Sequence, residues 1–317
     1  MTVVIFSILG VLTLAVTLDI LRNRKIRFRT LRIPAVYSSS STGKSGFRIL
    51  HVSDIHLTSS TLQRLKPFEN LAETKWDFVL ITGDLIDDDS GIEPVCQALG
   101  RLEARYGKFA VLGNHDYICF SGKNFYQGVR ILIKTFFELP ISFCPSNDIE
   151  RLAACLKENG ITLLRNQLEE GVTENGEKFQ IIGIDDPSTD RDKPAGLYSS
   201  VKEDAFRLVI MHSPRRLRAI RPFKPEIVLC GHTHGGQIRF PLFGALSTHS
   251  DASRRESSGL VYLEGCRVHI SPGVGAGRIV PFRILSPPEI TEIVLEKSSS
   301  AIEVSAEKPG WKLFRNP

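Results

Sequence analysis

Short apolar runs rich in valine and isoleucine recur from Phe47 onward, and no other feature of the sequence constrains the fold as strongly. Each run has the length and composition of one buried strand. In chain order the runs are FRILHVSD, WDFVLITGD, KFAVLGNHD, FQIIGID, FRLVIMHS, PEIVLCGH, LVYLEG, RVHIS and EITEIVLE. Helix-like stretches at 62–74 and 92–106 separate the early runs, which predicts parallel strands joined by crossovers. Few helices interrupt the last third, so we expect an α/β fold in which two packed sheets are flanked by helices.

Polar side chains follow five of these runs, at the point where each predicted strand ends. They are Asp54 and His56 in SDIH, Asp84 in TGD, Asn114 and His115 in GNHD, His212 in MHS, and His232 and His234 in GHTHGG. Open α/β sheets bind ligands outside the carboxyl ends of their strands, so these residues from different strands can converge. Asp54 and His56 are two residues apart, and on an extended backbone both would project to one side.

The residue types in this set point to metal ions. A single DxH or HxH motif at a strand end is most often a hydrogen-bonded turn, and we assign no role to the isolated His51 and His269. Five polar clusters at five strand ends are a different matter. Aspartate, asparagine and histidine without a thiolate suit two divalent transition metals better than Mg²⁺ or Ca²⁺. Two such ions about 4 Å apart can acidify a shared water and neutralise a phosphoryl group during in-line attack.

The ordered motifs DxH, GD, GNHD, H and GHTH resemble those of the calcineurin-like metallophosphoesterase superfamily, over about residues 47–295. The resemblance implies a four-layered α/β/β/α sandwich and two divalent cations, with Mn²⁺ expected first and Fe or Zn²⁺ also compatible. It implies that Asp54, His56 and His234 hold one metal and that Asn114, His212 and His232 hold the other, with Asp84 bridging both. It also implies that His115 is not a ligand but faces the leaving group or a phosphoryl oxygen. Asp116 would then either orient His115 or its loop, or act on the substrate.

The segment GHTHGGQIRFP, residues 231–241, resembles a branch of small bacterial phosphodiesterases, many of which carry an N-terminal membrane segment. Protein serine/threonine phosphatases of the superfamily carry GDxVDRG, whereas this chain reads GDLIDDDSG, which disfavours that activity. Two arginines are candidates for binding the phosphate. Arg239 lies on a predicted strand that leaves the site, and Arg278 lies in the glycine-rich SPGVGAGRIVPFR, where an ordinary surface arginine is the alternative.

Residues 2–18 carry no charge over 17 positions, which is just long enough to span a bilayer. The basic residues that follow are Arg22, Arg24, Lys25, Arg27, Arg29 and Arg32. By the positive-inside rule, this polarity places the catalytic domain in the cytoplasm, on a single-pass anchor in the bacterial inner membrane. A cleaved signal peptide or a buried helix is the alternative. We therefore expect a transmembrane helix at 1–21, a basic juxtamembrane segment with a serine-rich linker at 22–46, and the metallophosphoesterase domain at 47–317.

An apolar insertion at 117–146 follows the GNHD motif and precedes a helix expected at 148–159. Exposed apolar patches of this size mark binding surfaces. The insertion is therefore a cap buried on the domain, a lid for an acyl chain or the bilayer surface, or a protein contact. As a lid, it would offer Phe120, Phe136 and Phe137 to an acyl chain.

The net charge of +5 is concentrated in the basic segment, and the near-neutral remainder disfavours nucleic acid as a partner. No protein partner can be inferred. Anchor, orientation and apolar insertion together predict a phosphohydrolase that acts on an amphiphilic phosphate ester at the membrane. The resemblance suggests UDP-2,3-diacylglucosamine, cleaved at its pyrophosphate to UMP and 2,3-diacylglucosamine 1-phosphate in lipid A biosynthesis. A broader phosphodiesterase for another lipid, a cell-envelope polymer or a small diester is the alternative, ahead of a nuclease or a non-catalytic scaffold.

Overall fold

The computed structural model describes residues 25–35, 46–119, 146–248, 250–276 and 282–297, together with Thr17, Asp19 and Leu21. In the part of the chain that the structure describes, no helix combines the length and the apolar character that a membrane span needs. Most of the predicted anchor, the serine-rich linker at 36–45 and residues 120–145 of the apolar insertion lie outside the described residues.

Two six-stranded sheets form the centre of the described fold. The strands of the first sheet are β1 Arg27–Ala35, β2 Phe47–Val52, β4 Phe78–Thr82, β6 Lys108–Val111, β7 Thr162–Leu163 and β16 Glu289–Lys297. Their spatial order is β1-β16-β2-β4-β6-β7. As the sequence predicts, β2, β4 and β6 run parallel. The short β7 is parallel to β6, whereas β16 is antiparallel to β2 and parallel to β1.

The second sheet is also mostly parallel. Its strands are β8 Gln167–Val172, β9 Lys178–Ile184, β10 Phe206–Met211, β11 Ile227–Cys230, β14 Gly259–Leu263 and β15 Cys266–Ile270. The order is β14-β15-β11-β10-β9-β8, with antiparallel partners only at the two edges. Two short pairs lie outside these sheets, namely β3 Lys75–Trp76 with β5 Glu103–Ala104, and β12 Arg239–Phe240 with β13 Gly244–Ala245.

The described helices are short. The α-helices are α1 Lys66–Leu71, α2 Ile92–Gly100, α3 Asn114–Tyr117 and α4 Ile149–Glu158. The 3-10 helices are Leu62–Leu65, Asp89–Gly91, Pro187–Thr189, Pro194–Ser200, Leu217–Ala219, Arg221–Phe223 and His234–Gly236. The helix expected at 148–159 forms, and the Asp148 side chain caps it by accepting from the Arg151 N–H. The two helices expected earlier are shorter than predicted, and α2 gives way to β5 after Gly100.

Three apolar layers hold the sheets together, in agreement with the predicted α/β architecture of two packed sheets. The inner faces of the two sheets share one core, in which Ile49 and Leu80 of the first sheet lie with Leu208 of the second. Helices α1, α2 and α4 cover the outer face of the first sheet. The outer face of the second sheet packs on Leu217, Phe223 and their neighbours.

The covering of the second sheet differs from the predicted outer helical layer. In the described residues, short 3-10 helices take the place of α-helices on this face. Prolines prevent a long α-helix from running through these segments, because a proline inside an α-helix removes a hydrogen bond and clashes with the preceding turn. The two segments that connect β9 to β10 and β10 to β11 contain Pro187, Pro194, Pro214, Pro222 and Pro225.

Strand β1 falls in the segment that the sequence analysis places in the juxtamembrane region. The side chain of Ile33 is buried in the core between the sheets, and Arg32 pairs with Glu296 of β16 at 2.7 Å. Leu31 and Ile33 alternate with the polar Thr30 and Arg32, a short strand pattern that the high positive charge obscures. Residues 27–35 are therefore part of the folded domain, which begins before Phe47.

Candidate metal centre

The five polar motifs meet at one end of the two sheets, beyond the carboxyl ends of β2, β4, β6, β10 and β11. In a first cluster, the Nε2 atoms of His56 and His234 are 3.1 Å apart. The Oδ1 atom of Asp54 lies 3.9 Å from His56 Nε2 and 3.7 Å from His234 Nε2. Ligand atoms this close together, on side chains that are almost wholly buried, can surround one cation.

A second cluster lies beside the first. His212 Nε2 is 3.1 Å from His232 Nδ1 and 3.2 Å from Asp84 Oδ2. The same Asp84 oxygen is 3.5 Å from Nε2 of His56, which belongs to the first cluster. Asp84 thus lies between the two clusters, at the position where one carboxylate can contact two cations.

The loops reach these positions through left-handed backbone, and here the sequence analysis was wrong. The two-residue spacing predicts an extended backbone at Asp54 and His56, whereas both have φ near +50°. Asp84, His232 and His234 also have positive φ. Such conformations are costly for non-glycine residues and cluster at functional sites, where surrounding contacts hold them. The main-chain bond from His56 N–H to the Asp84 carbonyl, 2.9 Å, is one such contact.

Glycines allow the loops to approach one another closely. Gly83 has φ of +82°, and a Cβ atom there would lie 2.4 Å from the nitrogen of Gly113. A Cβ atom at Gly113 would lie 2.3 Å from Asp84 Oδ1 and 2.7 Å from the ring of His212. Glycine is therefore required at both positions, and it brings the loop that carries Asn114 against the second cluster.

Asn114 provides a test of whether the site suits a metal. Its side-chain Oδ1 is buried and has no hydrogen-bond partner among the described residues. A buried acceptor without a partner costs about 1–3 kcal/mol. A cation in the second cluster would satisfy this oxygen. Together with the histidine and aspartate clusters, it makes the site fit a divalent metal.

The buried carboxylates and imidazoles of the centre shift one another's pKa. Burial disfavours the charged form of Asp84, but the imidazoles of His212 and His115 outweigh it and hold the pKa of Asp84 well below its usual value. Burial and the neighbouring His56 hold the pKa of His234 well below its usual value. Burial lowers the pKa of His212, but the carboxylates of Asp84 and Asp54 outweigh it and raise that pKa well above its usual value. Because metal ions bind charged carboxylates and neutral imidazoles, a cation in the second cluster would displace a proton from His212.

His115 lies next to the first cluster and is held by a residue that the sequence analysis missed. Its Nδ1 is 2.9 Å from Asp87 Oδ1, and the same oxygen is 2.7 Å from Nδ1 of His56. Burial lowers the pKa of His115, but the carboxylates of Asp84 and Asp87 outweigh it and raise that pKa above its usual value. His115 is therefore suited to carrying a proton near neutral pH.

Asp116 braces its loop. Its Oδ1 accepts from the N–H groups of Leu85 and Ile86, at 2.7 and 3.1 Å, and its Oδ2 accepts from Gly113 at 2.9 Å. This agrees with the first of the two roles considered for Asp116, because the contacts join the GNHD loop to the loop after Asp84. Asp87 is the carboxylate at hydrogen-bond distance from the His115 ring.

Two arginines that the sequence did not indicate, the buried Arg283 and the partly buried Arg64, hold the main chain of the metal-binding loops. Arg283 donates to the carbonyls of Pro272, at 2.7 Å, and His234, at 3.2 Å. Arg64 donates to the carbonyls of Ile55 and His56, at 2.9 and 2.6 Å. Arg283 ends the glycine-rich run in which the sequence analysis chose Arg278, and its burial left no signal in the sequence.

The candidate substrate-binding residues have different outcomes. Arg278, Phe120, Phe136 and Phe137 lie outside the described residues. Arg239 is half-buried, and its guanidinium donates to the Gly235 carbonyl at 2.9 Å and to Ser257 Oγ at 2.6 Å. Arg239 therefore braces the loop that follows His234.

His51 and His269 take part in a buried chain of hydrogen bonds that joins the two sheets to the first cluster. Their Nδ1 atoms are 2.8 Å apart, and His51 Nε2 is 2.9 Å from Thr82 Oγ1. The Thr82 hydroxyl donates to Ser53 Oγ at 2.8 Å, and Ser53 donates to Asp54 Oδ2 at 2.5 Å. The two histidines to which we assign no role are thus part of the support for Asp54.

Comparison with known proteins agrees with this geometry. The family model of the calcineurin-like phosphoesterases matches residues 47–236. The uncharacterized metallophosphoesterase YkoQ of Bacillus subtilis is 29% identical, over 90% of this chain and 98% of its own length. Phosphodiesterase YaeI of Escherichia coli is 28% identical, over 78% of this chain and 82% of its own length. UDP-2,3-diacylglucosamine pyrophosphatase LpxG of Chlamydia muridarum is 24% identical, over 77% of this chain and 82% of its own length.

Proposed function

The chain belongs to the calcineurin-like phosphoesterase family and is a metal-dependent phosphoester hydrolase, and from this premise we propose that it uses two divalent cations to hydrolyse an amphiphilic phosphate ester at a membrane. The observation that carries the proposal is the pair of clusters that share Asp84, with the unpartnered oxygen of Asn114 beside them. Mn²⁺ is the first ion to test, and Fe or Zn²⁺ suits the same ligand set.

Each group in the site has a defined task under this proposal. Asp54, His56 and His234 would hold one cation, and Asn114, His212 and His232 the other, with Asp84 contacting both. Bound there, divalent cations would polarise the phosphoryl oxygens and acidify a water molecule. The buried side chains limit water access and keep the ligands in place.

His115 would act as the general acid. Its raised pKa favours the protonated ring, which can donate to the departing oxygen of the ester. Asp87 would hold the ring by accepting from its Nδ1. The contacts of Asp87 with His56 and His115 outweigh its burial and lower its pKa, so its carboxylate stays ionised and keeps both rings oriented.

We propose UDP-2,3-diacylglucosamine as the specific substrate, with the protein as a single-pass enzyme of the bacterial inner membrane and its catalytic domain in the cytoplasm. The uncharged segment 2–18, the basic residues after it and the similarity to LpxG support this proposal. Hydrolysis of the pyrophosphate would release UMP and leave 2,3-diacylglucosamine 1-phosphate.

A broader phosphodiesterase is the second candidate. The observation in its favour is the similarity to phosphodiesterase YaeI, which is slightly higher than the similarity to LpxG. Its substrate would be another lipid, a cell-envelope polymer or a small diester. Nucleic acid is disfavoured by the concentration of positive charge near the N-terminus.

One assay separates the two candidates. The full chain, purified in detergent and supplied with Mn²⁺, is incubated with UDP-2,3-diacylglucosamine, and UMP release is followed beside an Asp84→Ala control. Release that is lost in the control supports the pyrophosphatase. No release from an enzyme that still hydrolyses bis(p-nitrophenyl) phosphate would discard this substrate and leave the broader phosphodiesterase.

A further inference from the structure

An exposed apolar hairpin lies next to the metal centre and has no part in the chemistry proposed above. We call residues 239–246, which include β12 and β13, the apolar hairpin. Phe240, Leu242 and Phe243 are 51%, 86% and 74% exposed. Leu246 on the same hairpin and Phe282 and Leu285 on the neighbouring segment are also exposed. Isolated apolar residues on a surface need no explanation, but a group of this kind marks a binding surface.

The tip of the hairpin is a costly place for a leucine. Leu242 has φ of +72°, a conformation that favours glycine or asparagine and is an outlier for a bulky residue. Its carbonyl accepts from Arg255 at 3.2 Å, which helps to hold the turn. A large apolar side chain that is both strained and almost fully exposed contributes little to the stability of the domain, so binding is the explanation that remains.

Main-chain hydrogen bonds tie the hairpin to the metal centre. The N–H of Gln237 donates to the carbonyl of His234 at 3.0 Å. Gln237 and Arg239 then pair with Ile284 through two main-chain bonds of 2.9 and 3.0 Å. Whatever binds the hairpin is therefore held at a fixed position relative to the metal ligand His234.

The end of the predicted anchor reaches the same surface. The N–H of Leu285 donates to the Asp19 side chain at 2.6 Å. Asp19 directly follows the uncharged segment 2–18, which is long enough to span a bilayer. The point at which the chain would enter the membrane thus lies one residue from Ile284, the partner of the hairpin.

The surface around the hairpin carries a small excess of positive charge. Residues 237–256 contain three arginines and two acidic residues, Asp251 and Glu256. Arg254 and Arg255, on the segment that packs against the hairpin, are exposed. Apolar side chains beside arginines are the combination that partitions into the boundary between headgroups and acyl chains.

We propose that the apolar hairpin inserts into an anionic lipid bilayer and holds the metal centre at the membrane surface. This inference rests on the proposed action at a membrane. A bilayer at the hairpin would place the phosphoester of an amphiphilic substrate near the metal ligands while its acyl chains remain in lipid. The bilayer contact would thus select membrane substrates independently of the catalytic groups.

Tryptophan quenching tests the insertion directly. The full chain carrying Leu242→Trp is reconstituted into vesicles that contain phosphatidylglycerol and acyl-brominated phosphatidylcholine. The matched control is Val172→Trp, because Val172 is 60% exposed at the end of β8, on the opposite edge of the second sheet from β14. We expect a blue shift and quenching at position 242 and neither at position 172, above the background of Trp76 and Trp311.

Other occupants give other results, and each would overturn the proposal. A blue-shifted Leu242→Trp that bromolipid does not quench would mean that another part of this chain, such as residues 120–145, covers the hairpin. A blue shift that depends on protein concentration would indicate a second copy. An emission as red as that of an exposed tryptophan, in vesicles as in detergent, would mean that nothing binds there.

A functional variant gives the second arm. Leu242→Glu combined with Phe243→Glu should lower hydrolysis of a vesicle-borne substrate by about tenfold or more, because two apolar side chains are replaced by charges. Hydrolysis of bis(p-nitrophenyl) phosphate in detergent should not change. The rate on bis(p-nitrophenyl) phosphate also separates the two proposals. If the unsubstituted protein did not hydrolyse this ester, the proposed hydrolase would be contradicted. Quenching of Leu242→Trp by bromolipid would still show that the hairpin inserts.

Discussion

The two halves of the metal centre are braced by different kinds of group. In the cluster of Asp54, His56 and His234, side chains do most of the bracing, beside one main-chain group, the His232 N–H, which donates to Asp54 Oδ1 at 3.0 Å. The Ser53 hydroxyl donates to Asp54, and the Asp87 carboxylate accepts from His56. Arg283 and Arg64 add side-chain bonds to the main chain of the same loops.

In the cluster of Asp84, His212 and His232, the braces belong to the main chain. His212 Nδ1 donates to the Thr82 carbonyl at 2.7 Å. The His115 N–H donates to Asp84 Oδ1 at 2.7 Å. The Thr82 carbonyl and the His115 N–H are main-chain groups, so a substitution of the Thr82 or His115 side chain leaves these two hydrogen bonds in place.

The difference teaches which contacts can be tested one at a time. Partners of metal ligands typically contribute 10- to 100-fold in metal affinity or activity, and removal of a side-chain partner is a clean experiment. We therefore expect graded effects from substitutions around the first cluster. Around the second cluster, apart from Gly83 and Gly113, which the close approach of the loops requires, only substitution of the ligands themselves should weaken metal binding strongly.

The largest effect is expected for Asp84→Ala, because the Asp84 carboxylate lies between the two halves and both share it. Bound metal ions stabilise the transition state by several kcal/mol, so their loss should lower turnover on the order of 10³-fold. Both ions should be lost, and this can be measured as metal content after dialysis. Retention of two ions by the variant at full affinity would contradict the shared position of Asp84.

His115→Ala should separate binding from chemistry. Removal of a positioned general acid should lower kcat by about 10²-fold. Because His115 is not a ligand under our proposal, metal content should match that of the unsubstituted protein. A matched test uses two esters with different leaving groups. The loss should be smaller for p-nitrophenolate, which needs little protonation, and an equal loss on both esters would count against the role as an acid.

The sequence predicts which residue types form the metal centre. It does not predict the backbone conformation that places them there. Five strand-end motifs indicate the convergence of the polar side chains because parallel strands bring their carboxyl ends together. The left-handed backbone at Asp54 and His56 could not be predicted, since it depends on bonds to the loop after Asp84. Asp87 lies in a run of three aspartates, and nothing in that run indicates which one turns inward.

The fold shows the same division. The buried strands follow from their composition, and all nine predicted runs contain a strand in the structure. Strand β1 was missed because its basic residues resemble a membrane-proximal segment, while its pairing with β16 depends on residues more than 250 positions away. Long-range pairing of this kind leaves little local signal.

Asp87→Asn should have an intermediate effect confined to the first half. The amide of asparagine is neutral, so it would accept weaker hydrogen bonds from His56 and His115 than the carboxylate does. Both rings would then be held less firmly in their orientation. We expect a loss of about 10- to 100-fold in affinity for one of the two ions, with the other ion unaffected. Metal titration followed by calorimetry measures both. Asp88→Asn is the matched control, because Asp88 caps the neighbouring turn through Ser90 and should leave both affinities unchanged.

The smallest effect is expected for Ser53→Ala, and it compares the two halves most closely. Ser53 directly precedes the ligand Asp54 and donates to it, whereas Ser213 directly follows the ligand His212 and its hydroxyl has no partner in the described part of the chain. Both side chains are buried. Removal of a hydrogen bond to a charged group costs about 1.5–3 kcal/mol, while removal of an unpaired buried hydroxyl costs nothing or stabilises the protein. Ser53→Ala should therefore lower the melting temperature and weaken one metal, and Ser213→Ala should do neither. Equal effects of the two substitutions on melting temperature and metal affinity would mean that the halves are braced alike. The hydrogen bond from Ser53 to Asp54 would then stabilise its ligand no more than the unpartnered hydroxyl of Ser213 does.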